Sequence, residues 1–131
     1  MKILIAEDDF ASRLLLQKLL APYGEVHAAV NGKQAVQAFH DAELHGAPYG
    51  LVCLAVMMPE MDGRQVLEEI RRSEGARGVP PGKGAKIIMT TALKDGTAEL
   101  AALRDRCDAY LVKPIEQKKL REQMASFGMA A

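Results

Sequence analysis

An apolar run from Leu51 to Met58, ended by Pro59, is the feature that most constrains how this chain can fold. Asp62-Gly63 follows, and an amphipathic pattern then begins. A short apolar run bounded by turn signals is typical of a central strand in a parallel sheet, buried on both faces. In such sheets the carboxyl ends of the strands carry the chemistry. Ala55 is expected at that end, so much of the functional question depends on its methyl group.

Four further segments are predicted to be strands, and each of the five strands precedes a helical pattern. The other strands are expected at Lys2–Ala6, Val26–Val30, Lys86–Thr90 and Ala109–Val112. The helices are expected from Phe10 to near Pro22, from Asn31 to about His45, from about Arg64 to Glu74, from about Asp95 to Arg106, and around Leu120–Phe127. The apolar spacing of the first helix is carried by Phe10, Leu14, Leu15 and Leu19.

Strand and helix thus alternate five times along the chain. Such alternation predicts a parallel sheet with helices on both faces and right-handed crossovers. The predicted fold class is α/β, a doubly wound (βα)5 sandwich with the strand order 2-1-3-4-5. No linker, repeat or low-complexity segment divides the sequence. Residues 1–131 are therefore expected to form one domain, with no output domain.

Charge and composition narrow the class of function. Lys+Arg and Asp+Glu number 17 each, a balance that argues against binding DNA by bulk electrostatics. No apolar run approaches the roughly 18 residues that a membrane span needs. The short apolar N-terminus turns acidic at once, unlike a signal peptide. Cys53 and Cys107 form no metal-type pair, and Cys53 is expected to be a core residue. The chain is expected to be cytoplasmic.

Distinctive residues stand at four of the predicted strand ends. Glu7 and Asp8 follow the first strand, Ala55 lies at the end of the third, Thr91 follows the fourth, and Lys113 follows the fifth. In a doubly wound sheet these ends meet near the point where ligands bind. Carboxylates beside a backbone carbonyl form an oxygen site suited to Mg²⁺. A lysine and a hydroxyl nearby would complete a site for a phosphoryl group.

Four pieces of sequence together carry a family resemblance. They are Ile-Leu-Ile-Ala-Glu-Asp-Asp at 3–9, Met-Met-Pro-Glu-Met-Asp-Gly at 57–63, Thr-Ala at 91–92 and Ala-Tyr-Leu-Val-Lys-Pro at 109–114. With these the chain resembles the receiver domain of bacterial two-component response regulators, of the stand-alone, chemotaxis-regulator-like kind. The resemblance implies a flavodoxin-like fold. It also implies a phosphorylation-dependent switch in a phosphorelay, which is not itself an enzyme.

The resemblance implies a set of metal ligands. Asp8 resembles the acid that binds Mg²⁺ directly, and Glu7 resembles the acid that acts through water. The backbone carbonyl of Met57 resembles the third ligand of the family. Asp9, the last of the three adjacent acids, is expected to cap the first helix instead.

The resemblance also implies a phosphoryl-binding and switching set. Thr91, followed by Ala92, resembles the hydroxyl that grips an acceptor-bound phosphoryl group. Tyr110 resembles the aromatic residue that swings inward when that hydroxyl moves. Lys113 resembles the phosphate-binding lysine, and its bond to Pro114 resembles the cis peptide of the family.

Ala55 is the main departure from the family pattern. The phosphate-accepting aspartate of the family belongs four residues before Pro59, which is position 55. A carboxylate there would take phosphate as an acyl phosphate and would also be a charged metal ligand. A methyl group can do neither, so this chain is not expected to be phosphorylated there. Gly50, where family members commonly carry an aspartate, is interpreted as a lesser, structural departure.

Three functions are consistent with this pattern. The first is a receiver whose acceptor has been replaced, by nature or by design. Its expected partners are a sensor histidine kinase or phosphotransfer protein, and a target bound through the face of the fourth helix, fifth strand and fifth helix. The second is a natural pseudo-receiver, a protein-interaction module independent of phosphate. The third is a flavin-binding protein on a similar fold, which the low aromatic content disfavours.

We predict that this chain binds Mg²⁺ more weakly than its Ala55→Asp variant. Alanine leaves two carboxylates beside Lys113 where three would otherwise share the crevice, so the attraction for the cation is lower. Mg²⁺ titrations of the two proteins measure the difference. Equal affinities would contradict the prediction.

Overall fold

The computed structural model describes residues 1–92 and 106–131. Within them lies a five-stranded sheet in the order β2-β1-β3-β4-β5, and every neighbouring pair is parallel. The predicted fold class and strand order are thus confirmed. The strands are β1 (Lys2–Ala6), β2 (Glu25–Ala29), β3 (Leu51–Ala55), β4 (Lys86–Thr91) and β5 (Ala109–Val112).

Four α-helices flank the sheet in the described residues. They are α1 (Phe10–Leu20), α2 (Gly32–Leu44), α3 (Gly63–Ala76) and the C-terminal helix (Gln117–Ser126), and a short 3-10 turn (Ala21–Tyr23) follows α1. The predicted helix from about Asp95 to Arg106 falls on residues 93–105, outside the described part of the chain, apart from Arg106 itself. None of the helices in the described ranges is long and apolar enough to cross a bilayer.

Side-chain caps fix where the first three helices begin. The Asp9 carboxylate accepts from the Ser12 N–H at 2.9 Å, which confirms Asp9 as the cap of α1. Asn31 accepts from the N–H of the residue three positions on at the start of α2. Asp62 and Gln65 form a complete capping box at the start of α3. Each cap satisfies N–H groups that a helix start leaves unpaired. The caps therefore fix the residue at which each loop after a strand ends and its helix begins.

β3 lies at the centre of the core, as its unbroken apolar run predicted. Leu51, Val52, Cys53 and Leu54 are at most 1% exposed. Val52 and Leu54 pack into the cluster under α2 and α3, whereas Leu51 and Cys53 pack into the cluster under α1 and the C-terminal helix. A strand buried on both faces has no polar side, which is why its sequence does not alternate.

The apolar residues whose spacing predicted α1 are mostly not the ones that the helix buries. Phe10 is 68% exposed, and Leu14 and Leu15 are also exposed. The buried residues are Leu16 and Leu20, with Leu19 and other residues packed partly against their cluster. Because leucines stand at consecutive positions, several sets of residues spaced three or four apart could each form an apolar face of the helix. The sequence does not decide which set faces the sheet, and the docking of α1 on β1 selects Leu16 and Leu20.

Arg71 ties the amino ends of β4 and β5 to α3. Its guanidinium donates to Glu74 at 2.8 Å, to the Ala85 carbonyl at 3.0 Å and to Asp108 at 3.0 Å. Asp108 in turn accepts from the Ile87 N–H at 2.7 Å. The loop between α3 and β4 is therefore held at its end by charge-assisted hydrogen bonds.

Gly50 joins β1 to β4 at the same edge of the sheet. Its N–H donates to the Lys2 carbonyl at 2.9 Å, and its carbonyl accepts from the Lys86 N–H at 3.0 Å. A β-carbon at this position would lie 3.0 Å from the Met1 side chain, which occupies that space. Gly50 thus serves the sheet through its main chain, and its departure from the resembled pattern stays an interpretation.

We predict opposite effects from two alanine substitutions in α3. A β-carbon at Gly63 would lie 2.2 Å from the Ala55 carbonyl oxygen, so Gly63→Ala forces the backbone apart and is expected to lower the free energy of unfolding by about 2 kcal/mol. A β-carbon at Gly75 would meet no atom of the described residues within 4 Å, so Gly75→Ala is expected to raise it by roughly 0.5–1 kcal/mol. Urea unfolding measures both. A Gly63→Ala protein as stable as the parent would contradict the close approach.

Candidate functional site

The strand register brings the predicted site residues to one edge of the sheet. Ala6 pairs with Leu54, so Glu7 follows beside position 55. Ala55 pairs with Thr90, and Thr91 pairs with Val112, the residue before Lys113. All of these positions are at carboxyl ends of adjacent parallel strands. The convergence expected from the sequence is therefore present for Glu7, Ala55, Thr91 and Lys113.

Glu7 is a fully buried carboxylate with partners on both oxygens. It has 0% exposure. Its Oε1 accepts from the Lys113 ammonium, and its Oε2 accepts from the Asp9 N–H at 3.2 Å. The Glu7–Lys113 pair joins the ends of β1 and β5, which are 106 residues apart in the chain. Because a buried charge needs a counter-charge, this pair fixes both strand ends at the site.

Arg13 is a second cation at this corner, and the sequence reasoning missed it. Its Nη1 donates to the backbone carbonyl of Glu7 at 2.9 Å and lies 3.4 Å from that of Asp8. The bonds hold the turn that presents both acids. A cation at the end of the first turn of the helix after an acidic segment was the available signal. Asp8 itself is exposed to solvent.

Ser12 lowers the pKa of Asp9. The main cause is the hydrogen bond from the Ser12 backbone N–H, and the Ser12 side chain adds to it. The cap of α1 therefore favours the ionised form of Asp9, which keeps this carboxylate engaged with the helix start. This capping role agrees with the sequence-based prediction that Asp9 caps α1, whereas Glu7 and Asp8 belong to the site.

Ala55 is buried at the carboxyl end of the central strand, β3. It is 1% exposed, and its side chain belongs to the apolar cluster under α2 and α3. Thr90, its partner in register, is also 1% exposed, and its hydroxyl has no hydrogen-bond partner among the described residues. The sequence reasoning treated Thr90 as an ordinary strand residue. An unpaired buried hydroxyl is uncommon in a core, and among the described residues this one lies beside position 55.

The remaining predicted residues surround this position. Thr91 is buried, Ala92 is exposed, and Tyr110 is half-buried against the cluster under α2 and α3. Lys113 donates its backbone N–H to the Thr91 carbonyl at 2.7 Å, which ties the ends of β4 and β5 together. The peptide bond between Lys113 and Pro114 is cis, as the resemblance implied.

The oxygen donors at the site suit Mg²⁺ but are few. Glu7, Asp8 and the backbone carbonyl of Met57 are the groups that the resemblance implies for the ion, and hard oxygen donors are its preferred ligands. Met57 is 74% exposed on the loop after β3. Within the described ranges, no three Asp, Glu, His or Cys residues are grouped to hold a metal. A bound ion would supply positive charge to phosphoryl oxygens, whereas the protein supplies the acids that orient it.

Cys53 is confirmed as a core residue without reactive character. It is completely buried, and burial raises the pKa of its thiol to about 12. The thiolate is the nucleophilic form, so this side chain is inert at neutral pH. The His27 ring is hydrogen-bonded to the Tyr49 hydroxyl at 2.7 Å and to the Glu25 carboxylate at 2.8 Å.

Comparisons with known proteins agree with this geometry. Residues 3–125 match the family described as the response regulator receiver domain. The probable transcriptional regulator ycf27 of Galdieria sulphuraria is 38% identical over 124 residues, covering 94% of this chain and 43% of the relative. The sensor histidine kinase GacS of Pseudomonas protegens is 36% identical over 122 residues, covering 92% of this chain and 12% of the relative. The chain thus spans less than half of either relative.

A solved structure gives the same result. The receiver domain of sensor histidine kinase PA1611 from Pseudomonas aeruginosa, solved with a magnesium ion coordinated in its active-site cleft, is 26% identical with a TM-score of 0.74, and 97% of each chain is covered. The family match spans nearly the whole chain, and the strand order and the convergence of Glu7 and Lys113 fit it. This chain therefore belongs to the response regulator receiver domain family.

Proposed function

We propose that this chain is a receiver module of a two-component phosphorelay that cannot take a phosphoryl group at its acceptor position. The observation that carries the proposal is the placement of Ala55. It ends the central strand, between the strand ends that bring Glu7 on one side and Thr91 on the other. A nucleophile at this place would lie among the acids, the hydroxyl and Lys113. The methyl group has no lone pair with which to attack phosphorus.

The surrounding residues support an otherwise complete phosphoryl site. Lys113 would neutralise phosphoryl oxygens as a compact point charge, and Thr91 would donate its hydroxyl to one of them. Glu7 and Asp8 would hold Mg²⁺, as the site of the PA1611 receiver domain holds it in its own cleft. Phosphoryl transfer depends mainly on positioning and electrostatic stabilisation. The chain retains residues for both and lacks the nucleophile.

The partners follow from the same chemistry. A receiver takes its phosphoryl group from a histidine kinase or a phosphotransfer protein. The relatives that this chain matches include a sensor histidine kinase and a probable transcriptional regulator. We propose that this chain meets the same class of phosphodonor, and that its target binds on the side of β5 and the C-terminal helix. Without phosphate uptake it would remain in one signalling state.

A natural pseudo-receiver is the second candidate, and the Glu7–Lys113 pair favours it. The two buried or half-buried charges neutralise each other without a bound ion or phosphoryl group. A pocket balanced in this way would be stable as a fixed protein-interaction surface. This candidate and the first differ in what happens when the nucleophile is restored.

We predict that Ala55→Asp makes the chain accept phosphate from a small-molecule phosphodonor such as acetyl phosphate. With Mg²⁺ present, the variant is expected to gain the mass of one phosphoryl group by intact-protein mass spectrometry, because only the nucleophile was absent. The parent chain is expected to gain none.

Ala55→Asn is the matched control. Its amide has nearly the size and shape of the carboxylate but is a poor nucleophile, so it should stay unmodified. Uptake by Ala55→Asp alone supports the first candidate. Uptake by no form supports the pseudo-receiver, and uptake by the parent chain would contradict both.

A further inference from the structure

A cavity of about 250 Å³ lies beside the amino ends of β3 and β4. Its walls come from α2, α3, the segment before β3 and the loop before β4. Ala55 is the last residue of β3, so this cavity is at the opposite edge of the sheet from the candidate phosphoryl site. Nothing in the proposed function uses it.

Two carboxylates line this cavity, and that of Glu74 is already satisfied. Glu74 is 7% exposed and accepts from Arg71 at 2.8 Å and from the Ala85 N–H at 2.7 Å. Gly84 gives this carboxylate its room, because a β-carbon there would lie 2.2 Å from one of its oxygens. Glu74 therefore has a counter-charge and hydrogen bonds from its own chain, and it needs no ligand.

Glu43, the second carboxylate, is buried and only half satisfied. It is 6% exposed, and its Oε1 accepts from the Ser73 hydroxyl. Its Oε2 lies 3.9 Å from the Nε of Arg77, which is too far for a hydrogen bond, and no other donor of the described residues reaches it. A buried carboxylate is costly unless it is both paired and hydrogen-bonded. One oxygen of Glu43 is thus open to a cationic donor.

Aromatic and aliphatic side chains make up much of the remaining wall. The rings of Phe39 and Tyr49 are stacked with their centroids 6.4 Å apart, and both residues are at most 5% exposed. The Tyr49 hydroxyl is already bonded to His27 at 2.7 Å. Val79 adds an aliphatic side chain. Binding sites for small molecules typically combine such an apolar wall with a few polar groups that fix the orientation of the ligand.

We propose that this cavity binds a small primary amine with an apolar body, whose ammonium group donates to the open oxygen of Glu43. The ammonium supplies the hydrogen-bonded counter-charge that Arg77 supplies only from a distance. Arg77 can make way, because its side chain is 45% exposed and can turn its charge into water. Lys83 also lines the cavity but forms no ion pair within the described part of the chain, so it leaves Glu43 open.

The test compares phenethylamine with phenethyl alcohol, which has the same body without the charge, in amide NMR titrations of the full chain. The amine is expected to shift the backbone amides of Gly50, Gly84 and Ala85, which line the cavity. It is expected to bind at least about tenfold more tightly than the alcohol, because a hydrogen bond to a charged group is worth that factor or more. Absence of binding, equal affinities, or amine shifts confined to Glu7 and Asp8 would overturn the proposal.

Two glutamine variants separate the Glu43 carboxylate from simple loss of charge. Glu43→Gln keeps an acceptor for Ser73 and is expected to weaken amine binding about tenfold while leaving alcohol binding unchanged. Glu69→Gln is the matched control, because Glu69 pairs with Arg72 on α3 outside the cavity. It is expected to change amine affinity by less than about twofold, since salt screens distant charges. An equal loss in both variants would contradict the assignment.

The comparison of amine and alcohol in the unmodified chain decides the matter if Glu43→Gln does not fold. Neither titration uses Mg²⁺ or a phosphodonor. Failure here is therefore distinct from failure of Ala55→Asp to accept phosphate.

Discussion

The buried carboxylate of Glu7 is the constraint on which the site depends. Removing one partner of a buried ion pair costs about 3–5 kcal/mol, because it leaves an uncompensated charge. Glu7 has 0% exposure, and Lys113, directly after β5, supplies the counter-charge to its carboxylate. Lys113 is held in turn by its backbone bond to Thr91 on β4. One charge pair therefore connects three of the strand ends that make up the pocket.

The fold does not need the chemistry at position 55. β3 is central because its residues are apolar on both faces, and Ala55 at its end is as buried as the residues before it. Gly63 lies against the Ala55 carbonyl, and its N–H donates to Val56, so the strand end is fixed through main-chain atoms. A methyl group can therefore occupy position 55 while main-chain contacts hold the strand end. Fold does not by itself imply activity.

Sequence patterns predicted the sheet and the site edge because both depend on strong local signals. The unbroken apolar strands, the cap at Asp9 and the residues at the strand ends were all readable, whereas the capping box at Asp62 was not predicted. The inner face of α1 was not, because neighbouring leucines form overlapping stripes and only docking against the sheet selects Leu16 and Leu20. The partners of Glu7 were also out of reach, since pairing with Lys113 spans 106 residues. The binding roles of all the site residues stay predictions, namely those of Glu7, Asp8, Met57, Thr91, Tyr110 and Lys113.

The central claim is that a competent phosphoryl pocket lacks only its nucleophile and is balanced by Lys113 on Glu7. A crystal structure of the Ala55→Asp protein with Mg²⁺ and beryllofluoride, a phosphoryl analogue, tests it most directly. The predicted result is the analogue on the introduced carboxylate, Mg²⁺ beside Glu7 and Asp8, and the Lys113 ammonium moved from Glu7 to the analogue. A structure in which position 55 carries no analogue and Lys113 still pairs with Glu7 would contradict the claim.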